Sequence, residues 1–332
     1  MKKSVKAISV VLASALLLAG CGGKEKTSGN TEKKQYQIGL TQYAEHLSLD
    51  AATKGFKKAL EEKGFKEGEN VKYNFQNAQG DQNNTASIAN NFIGDKVDLI
   101  FANATPSAVA ALNATKEIPI IFTSVTDPVG AGLVEALDKP GDNITGTTDN
   151  HPDATKKTID FMTKEIGAKK IGVIYNAGEQ NSEVQLKEVK KLAESSGAKV
   201  TEASISTSSE VKQAAESLVG RVDAIYVPTD NTVVSALESV ISVANSKKIP
   251  LFVGELDSMK KGAVAASGFN YFDIGYQSGL MAAKILSGEK KASEIPVELP
   301  ASLTLTINKK AAKEQGVEVK EEWGKDAEFL EE

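Results

Sequence analysis

With one cysteine, one tryptophan and two histidines in 332 residues, the chain has little from which to build a metal centre or a covalent catalyst. His46 and His151 stand far apart, and no His-x-x-x-His or His-Glu pair occurs at ligand spacing. There is no Gly-x-Ser-x-Gly elbow and no Walker loop. An enzyme requires a base, a nucleophile or a metal, so no catalytic residue, metal ligand or cofactor is assigned. An exported hydrolase stays open as an alternative of another class, with no residues to point to. Aromatic side chains make up only 6% of the chain. Positive charge is not in excess: there are 39 basic and 44 acidic side chains, and three of the basic ones lie in the leader, so the remainder carries about −8. A mildly acidic surface argues against a nucleic-acid partner.

The leader occupies residues 1–20. Lys2, Lys3 and Lys6 precede an apolar stretch from Val10 to Leu18, too short to stay in a membrane as a spanning helix. Leu18-Ala19-Gly20-Cys21 closes it in the manner of a bacterial lipobox. By resemblance to such lipoproteins, cleavage precedes Cys21 and acyl chains such as palmitate are attached there. Two or more acyl chains would hold the protein on the outer face of the cytoplasmic membrane. As the sole cysteine, Cys21 has no disulfide partner within the chain. Residues 21–34 contain no large apolar side chain and read as a flexible tether.

What the remainder does contain is an internal repeat. Val97–Pro106 (VDLIFANATP) and Val222–Asn231 (VDAIYVPTDN) each begin with Val-Asp, run through an apolar strand and break at a small polar turn. Each turn opens a helical pattern that ends in Ile-Pro and another apolar run, EIPIIF and KIPLFV. The same βαβ unit therefore occurs twice. Alternating strands and helices on both sides of these units predict an α/β protein with two doubly wound parallel-sheet lobes. About 300 folded residues also exceed one ordinary core. Lobe one is expected to comprise 35–149 plus 254–296, and lobe two 150–253 plus 307–332. Residues 297–306 would form the third segment of a three-segment hinge.

Parallel sheets bind ligands beyond the carboxyl ends of their strands, beside helix N-termini. Two lobes facing each other would bring Thr105 and Asp230 to one cleft; either residue alone reads first as a helix cap, and it is the matched pair that points to a shared site. The strand ends are rich in Thr, Ser, Asn and Asp and poor in Arg. Hydroxyls and helix N-termini suit a carboxylate, while an unpaired carboxylate, Asp230 or Asp127, suits an ammonium. Together they describe a zwitterion, a free α-amino acid. Tyr43, Phe122, Tyr175 and Tyr271 flank strand ends and are able to stack on a side chain, or to serve as core.

The segments EHLSLDAATKGFKKAL, NAQGD, ATPSA, VTDPV, NITGTTD, IYNAGEQNS, VPTDN and YFDIGYQSG resemble the ABC-transporter substrate-binding lipoproteins of the tryptophan/tyrosine-type group, and the likeness spans nearly all of the mature chain. The resemblance implies a type I periplasmic-binding-protein-like fold that closes on an aromatic or related amino acid, tryptophan, tyrosine or phenylalanine foremost, and delivers it to an ABC permease with its ATPase. It places the site on loops containing Thr41, Gln42, Thr105, Thr126, Asp127, Asn150, Glu179, Asn181, Ser182, Asp230 and Asn231. In the role assignment, Thr105, Thr126 and Ser182 take the carboxylate, and Asp230, with Asp127 as second choice, takes the ammonium. Asn150 and Asn181 add neutral hydrogen bonds, and Glu255 is a rim candidate. Asn181 and Ser182 also read as caps of the helix that follows. A sugar or nucleoside receptor of the same fold is the alternative, but sugar sites favour stacked tryptophan and the sole Trp323 lies in the tail. A monomer is expected.

Overall fold

The computed structural model describes residues 34–330. The leader, Cys21 and the tether up to its last residue lie outside the described residues.

The first sheet contains β1 (Tyr36–Gln42), β2 (Val71–Asn77), β3 (Leu99–Asn103), β4 (Ile120–Val125) and β5 (Ile144–Thr148) in the order β2-β1-β3-β4-β5, all parallel. Every residue of β3, β4 and β5 is buried, as strands covered on both faces require. α1 (Leu47–Glu62), α2 (Gln82–Gly94) and α3 (Thr105–Ala114) cover β1, β3 and β4, and a later helix, residues 271–286, lies against β4 and β5.

The second sheet repeats the order. β6 (Lys170–Asn176) lies between β7 (Lys199–Ile205) and β8 (Ala224–Val227), and β9 (Leu251–Val253) follows β8. α5 (Gln180–Ser195) and α6 (Val211–Leu218) flank these strands. α7 (Asn231–Ser235) and α8 (Leu237–Lys247), separated at Ala236, connect β8 to β9. Both halves reverse direction beside their first strand, which places a ligand crevice beyond β1 and β3 in one lobe and beyond β6 and β8 in the other.

The Val-Asp repeat has a structural use. Asp98 accepts the backbone N–H of Gln37 at 2.8 Å, and Asp223 accepts those of Lys169 and Lys170, each at 2.8 Å. Each carboxylate thus pins the start of its lobe's first strand to the third. Gly39 and Gly172 correspond in the same way, since a Cβ at either would press on a helix side chain, Phe92 or Leu218.

The route between the lobes differs from the expected boundaries. After β5 the chain enters α4 (Ala154–Asp160), whose final turn widens over residues 161–165. The stretch from Gly262, expected in lobe one, instead forms β10 (Ala265–Gly268) in the second sheet, parallel to β9 and antiparallel to β11 (Thr304–Asn308). Only after Gly268 does the chain cross, and α9 (Tyr271–Leu286) then lies along α1. The two helices touch backbone to backbone because Gly55, Gly275 and Gly279 lack side chains: a Cβ at Gly275 would collide with the Ala52 carbonyl, and one at Gly55 with that of Phe272. The expected third crossing also begins within lobe one. The Glu298 N–H and C=O bond to the Gly146 C=O and the Thr148 N–H at 3.1 and 3.0 Å, so this residue still edges the first sheet. α10 (Lys309–Glu314) and β12 (Glu328–Leu330) complete the second lobe, with Trp323 buried edge-on to Phe161.

Candidate functional site

The two lobes are closed on each other. Among the polar contacts that cross between them, Ser48 Oγ donates to Glu255 Oε2 at 2.8 Å, Gln82 Nε2 to the Gly178 carbonyl at 2.8 Å, and His46 Nε2 meets Asn231 Oδ1 at 3.4 Å. Ser48–Glu255 and His46–Asn231 border a small buried cavity between the lobes. Lobe one contributes His46 and Leu49 from the start of α1, Ser124 from β4, Asp149 just after β5, and Tyr271 at the head of α9. Lobe two contributes Thr229, Asp230, Asn231 and Val234 from the α7 turn, and Glu255 just after β9.

Several polar atoms of this wall are buried and lack a hydrogen-bond partner: His46 Nδ1, Ser124 Oγ, Asp149 Oδ1 and Glu255 Oε1. Buried polar groups in folded proteins are nearly always satisfied, so a convergent set of open ones is what a ligand site leaves behind. Asp149 keeps its other oxygen on the Tyr271 hydroxyl at 2.8 Å, and Glu255 keeps its own on Ser48 and on the Ser258 N–H at 2.9 Å. Burial raises the pKa of both carboxyls, and Asp257 adds to the effect at Glu255.

The tautomer of His46 follows from its neighbours. Asn231 Nδ2 donates to Glu179 Oε2 at 2.6 Å, so its Oδ1 faces His46 as an acceptor. Nε2 must therefore carry the proton, which leaves Nδ1 a bare acceptor toward the cavity. Burial lowers the His46 pKa to about 4, and the ring is neutral near neutral pH.

The residues picked out in the sequence divide into two groups. Asp230, Asn231 and Glu255 line the cavity. Asp230, however, is already saturated. Its Oδ2 accepts the Asn176 N–H at 2.5 Å and Ser182 Oγ at 2.7 Å, and its Oδ1 caps α7 through the Val233 N–H at 2.8 Å. The cap reading describes Asp230, and Ser182 is committed to it rather than to a ligand carboxylate. Glu179 is equally occupied, taking bonds from Asn181, Asn231 and Thr232 at 2.6–3.2 Å. Burial first, and then the neighbouring Glu179 carboxylate, raise the pKa of Asp230 to about 7. Asn181 bridges Glu179 and the Thr229 carbonyl, and its Oδ1 is left open.

The remaining residues lie around the cavity rather than in its wall. Gln42 is fully used inside lobe one by Ala44, Asp50, Thr53 and Asn103. Thr41 contacts Ser107 at 3.4 Å. Thr105 Oγ1 is buried and open, but it lines a separate groove with α2 and Gln180. The Thr126 side chain hydrogen-bonds to the Asp149 carboxyl and, with Tyr271, works against the rise that burial causes in its pKa. Asp127 caps its own turn through the Gly130 N–H at 2.8 Å, so it is not a second ammonium partner, and Asn150 is half-buried next to Thr148. Of the aromatics, Tyr271 reaches the cavity, Phe122 is core, Tyr43 binds the Gly80 carbonyl and Tyr175 binds Glu202. His46, Ser124 and Asp149 were missed. Two of them lie inside segments already singled out, EHLSLD and NITGTTD, where each is one polar residue among several.

Two doubly wound lobes shut over a buried polar cavity define a two-lobed binding protein. The family model described as ABC transporter substrate binding protein matches residues 37–329, and the chain belongs to that family. It is 47% identical over 323 residues, covering 94% of this chain and 93% of the relative, to a tyrosine-binding protein of Clostridioides difficile strain R20291. Among solved structures, a domain from Streptococcus pneumonia in complex with L-Trp is similar at a TM-score of 0.84 and 33% identity, covering 90% of this chain and all of that one. A ligand-free, open substrate-binding protein with adhesive properties from Clostridium difficile has 46% identity over 89% of this chain and 99% of its own, yet its TM-score is only 0.65. The higher identity with the lower overlap fits a difference in lobe angle, this chain being closed. The family and these relatives are substrate-binding proteins, not enzymes.

Proposed function

We propose that this protein captures a free aromatic amino acid between its lobes and presents it to an ABC permease with its ATPase. The observation that carries the reading is the buried cavity between the lobes whose open groups are two carboxylate oxygens, one hydroxyl and one bare imidazole nitrogen, with apolar Leu49 and Val234 also in its lining. An ammonium fits the open oxygens of Asp149 and Glu255. Ser124 Oγ is a donor for the ligand carboxylate, and the His46 Nδ1 lone pair suits a phenol O–H or an indole N–H. The tyrosine named for one relative and the tryptophan held by another are ligands of this kind.

The leader and the Leu-Ala-Gly-Cys run support an extracytoplasmic protein held at the outer face of the membrane through lipid on Cys21. Replacing Cys21 with alanine should release it from the membrane fraction into the medium or periplasm. Ligand identity is tested by thermal shift and calorimetry with tyrosine, tryptophan and phenylalanine beside other amino acids, sugars and nucleosides. An aromatic amino acid at about 100 times its Kd should stabilise the protein by ~2.7 kcal/mol. Stabilisation by a sugar or a nucleoside instead would refute the reading.

A further inference from the structure

A groove of about 470 Å³ runs between α2 and α3 on lobe one and shares no lining residue with the buried cavity. Its volume is that of a small-molecule site. The two helices face it with short side chains, Ala86 from one and Pro106, Val109, Ala110 and Ala114 from the other. At the heads of these helices lobe two adds Gly178 and Gln180, so the groove is complete only when the lobes meet. Thr105 and Gln180 line it there, and each has a buried side-chain oxygen without a partner, Oγ1 and Oε1. Thr105 is only 2% exposed, so its hydroxyl has no bulk water to turn to. Gln180 Nε2 lies on the side of the Asp127 carboxylate, since both would touch a Cβ on Gly130, and Oε1 is the end of the amide left open.

We propose that this groove is a second binding site, separate from the buried cavity, for an uncharged molecule with an apolar body and an N–H or O–H donor, and that its occupancy favours closure. Among the described residues, none that lines the groove carries a charge, so a charged ligand would lose water without gaining a partner. Asp127, beside Gln180, works further against an anion. Gln180 Oε1 only accepts, which is why the ligand must bring a donor, whereas the Thr105 hydroxyl donates or accepts. A carboxamide has a group for each, its N–H for Gln180 and its carbonyl for Thr105. The short side chains between α2 and α3 leave room for the apolar ring or chain. A ligand that touches both lobes binds the closed form better than the open one, and by linkage it strengthens binding in the buried cavity as that ligand strengthens its own. The inference does not depend on which molecule fills the cavity.

The test uses benzamide as the probe, beside acetophenone, in which a methyl group replaces the N–H donor, and the charged benzoate and benzylammonium. Affinities are measured by calorimetry in the unmodified protein and in Ala86→Leu and Ala110→Leu, which fill the groove from opposite helices and lie outside the wall of the buried cavity. Ala86 is exposed, Ala110 is half-buried and leucine suits a helix, so both variants should fold, as circular dichroism and thermal melting establish. Each probe is titrated with and without saturating L-tyrosine, L-tryptophan or L-phenylalanine, and the affinity of each amino acid is measured with and without benzamide.

Benzamide should bind the unmodified protein with a Kd of about 1 mM or tighter. Acetophenone should bind at least ~3-fold more weakly for want of one hydrogen bond, and the two charged probes at least ~10-fold more weakly. Either leucine should weaken benzamide at least ~10-fold while leaving the amino acid's affinity, measured alone, within about twofold. Saturating benzamide should strengthen amino-acid binding ~5-fold or more. Equal benzamide affinity in both variants and the unmodified protein, or no saturable binding, overturns the site. Equal affinity for acetophenone or the charged probes overturns its ligand class, and an unchanged amino-acid affinity overturns the link to closure. Competition between benzamide and the amino acid would put the probe in the buried cavity and refute the groove. If none of the three amino acids binds, the ligand assignment fails, and benzamide compared across the variants still decides for or against the groove. The two leucines lie on different helices, so loss of folding in one leaves the other to give the answer.

Discussion

Asp230 stands where a capture residue was expected and acts as a brace. Its three donors come from α5, α7 and the end of β6, so the carboxylate ties the second lobe's crevice together from within. Asp230→Ala would leave those donors buried without an acceptor, at a cost of about 3 kcal/mol. It should therefore lower the denaturation midpoint of the ligand-free protein, and an unchanged midpoint would show the brace to be dispensable. A pH signature goes with it. A carboxyl whose pKa in the folded state is about 7, against 3.8 ordinarily, keeps a proton that the unfolded chain has given up. Its contribution to stability therefore falls as pH rises from about 4 to 7. Asp230→Asn does not titrate, so its stability relative to the unmodified protein should climb across that interval in urea unfolding. The sequence located this turn but not its role, because the residue types that cap helices are also those that bind zwitterions. What separates the two is whether the donors are already supplied, and here they come from residues 54, 48 and 3 positions away. Asp149 was passed over for the complementary reason: nothing local marks an oxygen as lacking a partner.

At the scale of elements, the repeated βαβ units were legible because each is local: a strand, a turn and a helix within some thirty residues. The Val-Asp pairs and the matching glycines of β1 and β6 show that the likeness extends to individual contacts. The assignment of β10 was not legible. Gly262–Ser267 reads as a short apolar strand on any sheet, and its placement is decided by antiparallel pairing to β11, with Ala265 opposite Ile307 and Gly268 opposite Thr304. Contacts that distant in the chain leave no periodic trace. The return of α9 to lobe one is better specified, since glycines on both helices are needed for α1 and α9 to approach so closely. Gly275→Val would drive a branched side chain into the Ala52 carbonyl, where the neighbour is backbone and cannot rotate away. A loss of about 3 kcal/mol or more is expected, or failure to fold. A variant melting within a degree or two of the unmodified protein would mean that the helices separate at little cost.

For the whole molecule, closure is the functional coordinate, and polar contacts between the lobes help to define it. Of the polar bridges described above, Ser48–Glu255 and His46–Asn231 belong to the cavity, whereas Gln82–Gly178 lies outside its wall, between the head of α2 and the loop before α5. Gln82 is exposed and its bond exists only when the lobes meet, so removing it should not disturb either lobe alone. Apparent affinity in such a protein is the intrinsic affinity of the closed form reduced by how rarely that form is reached. A single neutral hydrogen bond contributes about 0.5–1.5 kcal/mol. Gln82→Ala should therefore weaken ligand binding by about 2- to 10-fold while leaving ligand-free unfolding unchanged. The loss should appear as faster dissociation in stopped-flow displacement, because the bond forms after the ligand is already in the cleft. An equal drop in ligand-free stability would assign Gln82 to the fold of lobe one, and unaltered affinity would mean that the closed form is held by the cavity contacts and the ligand alone.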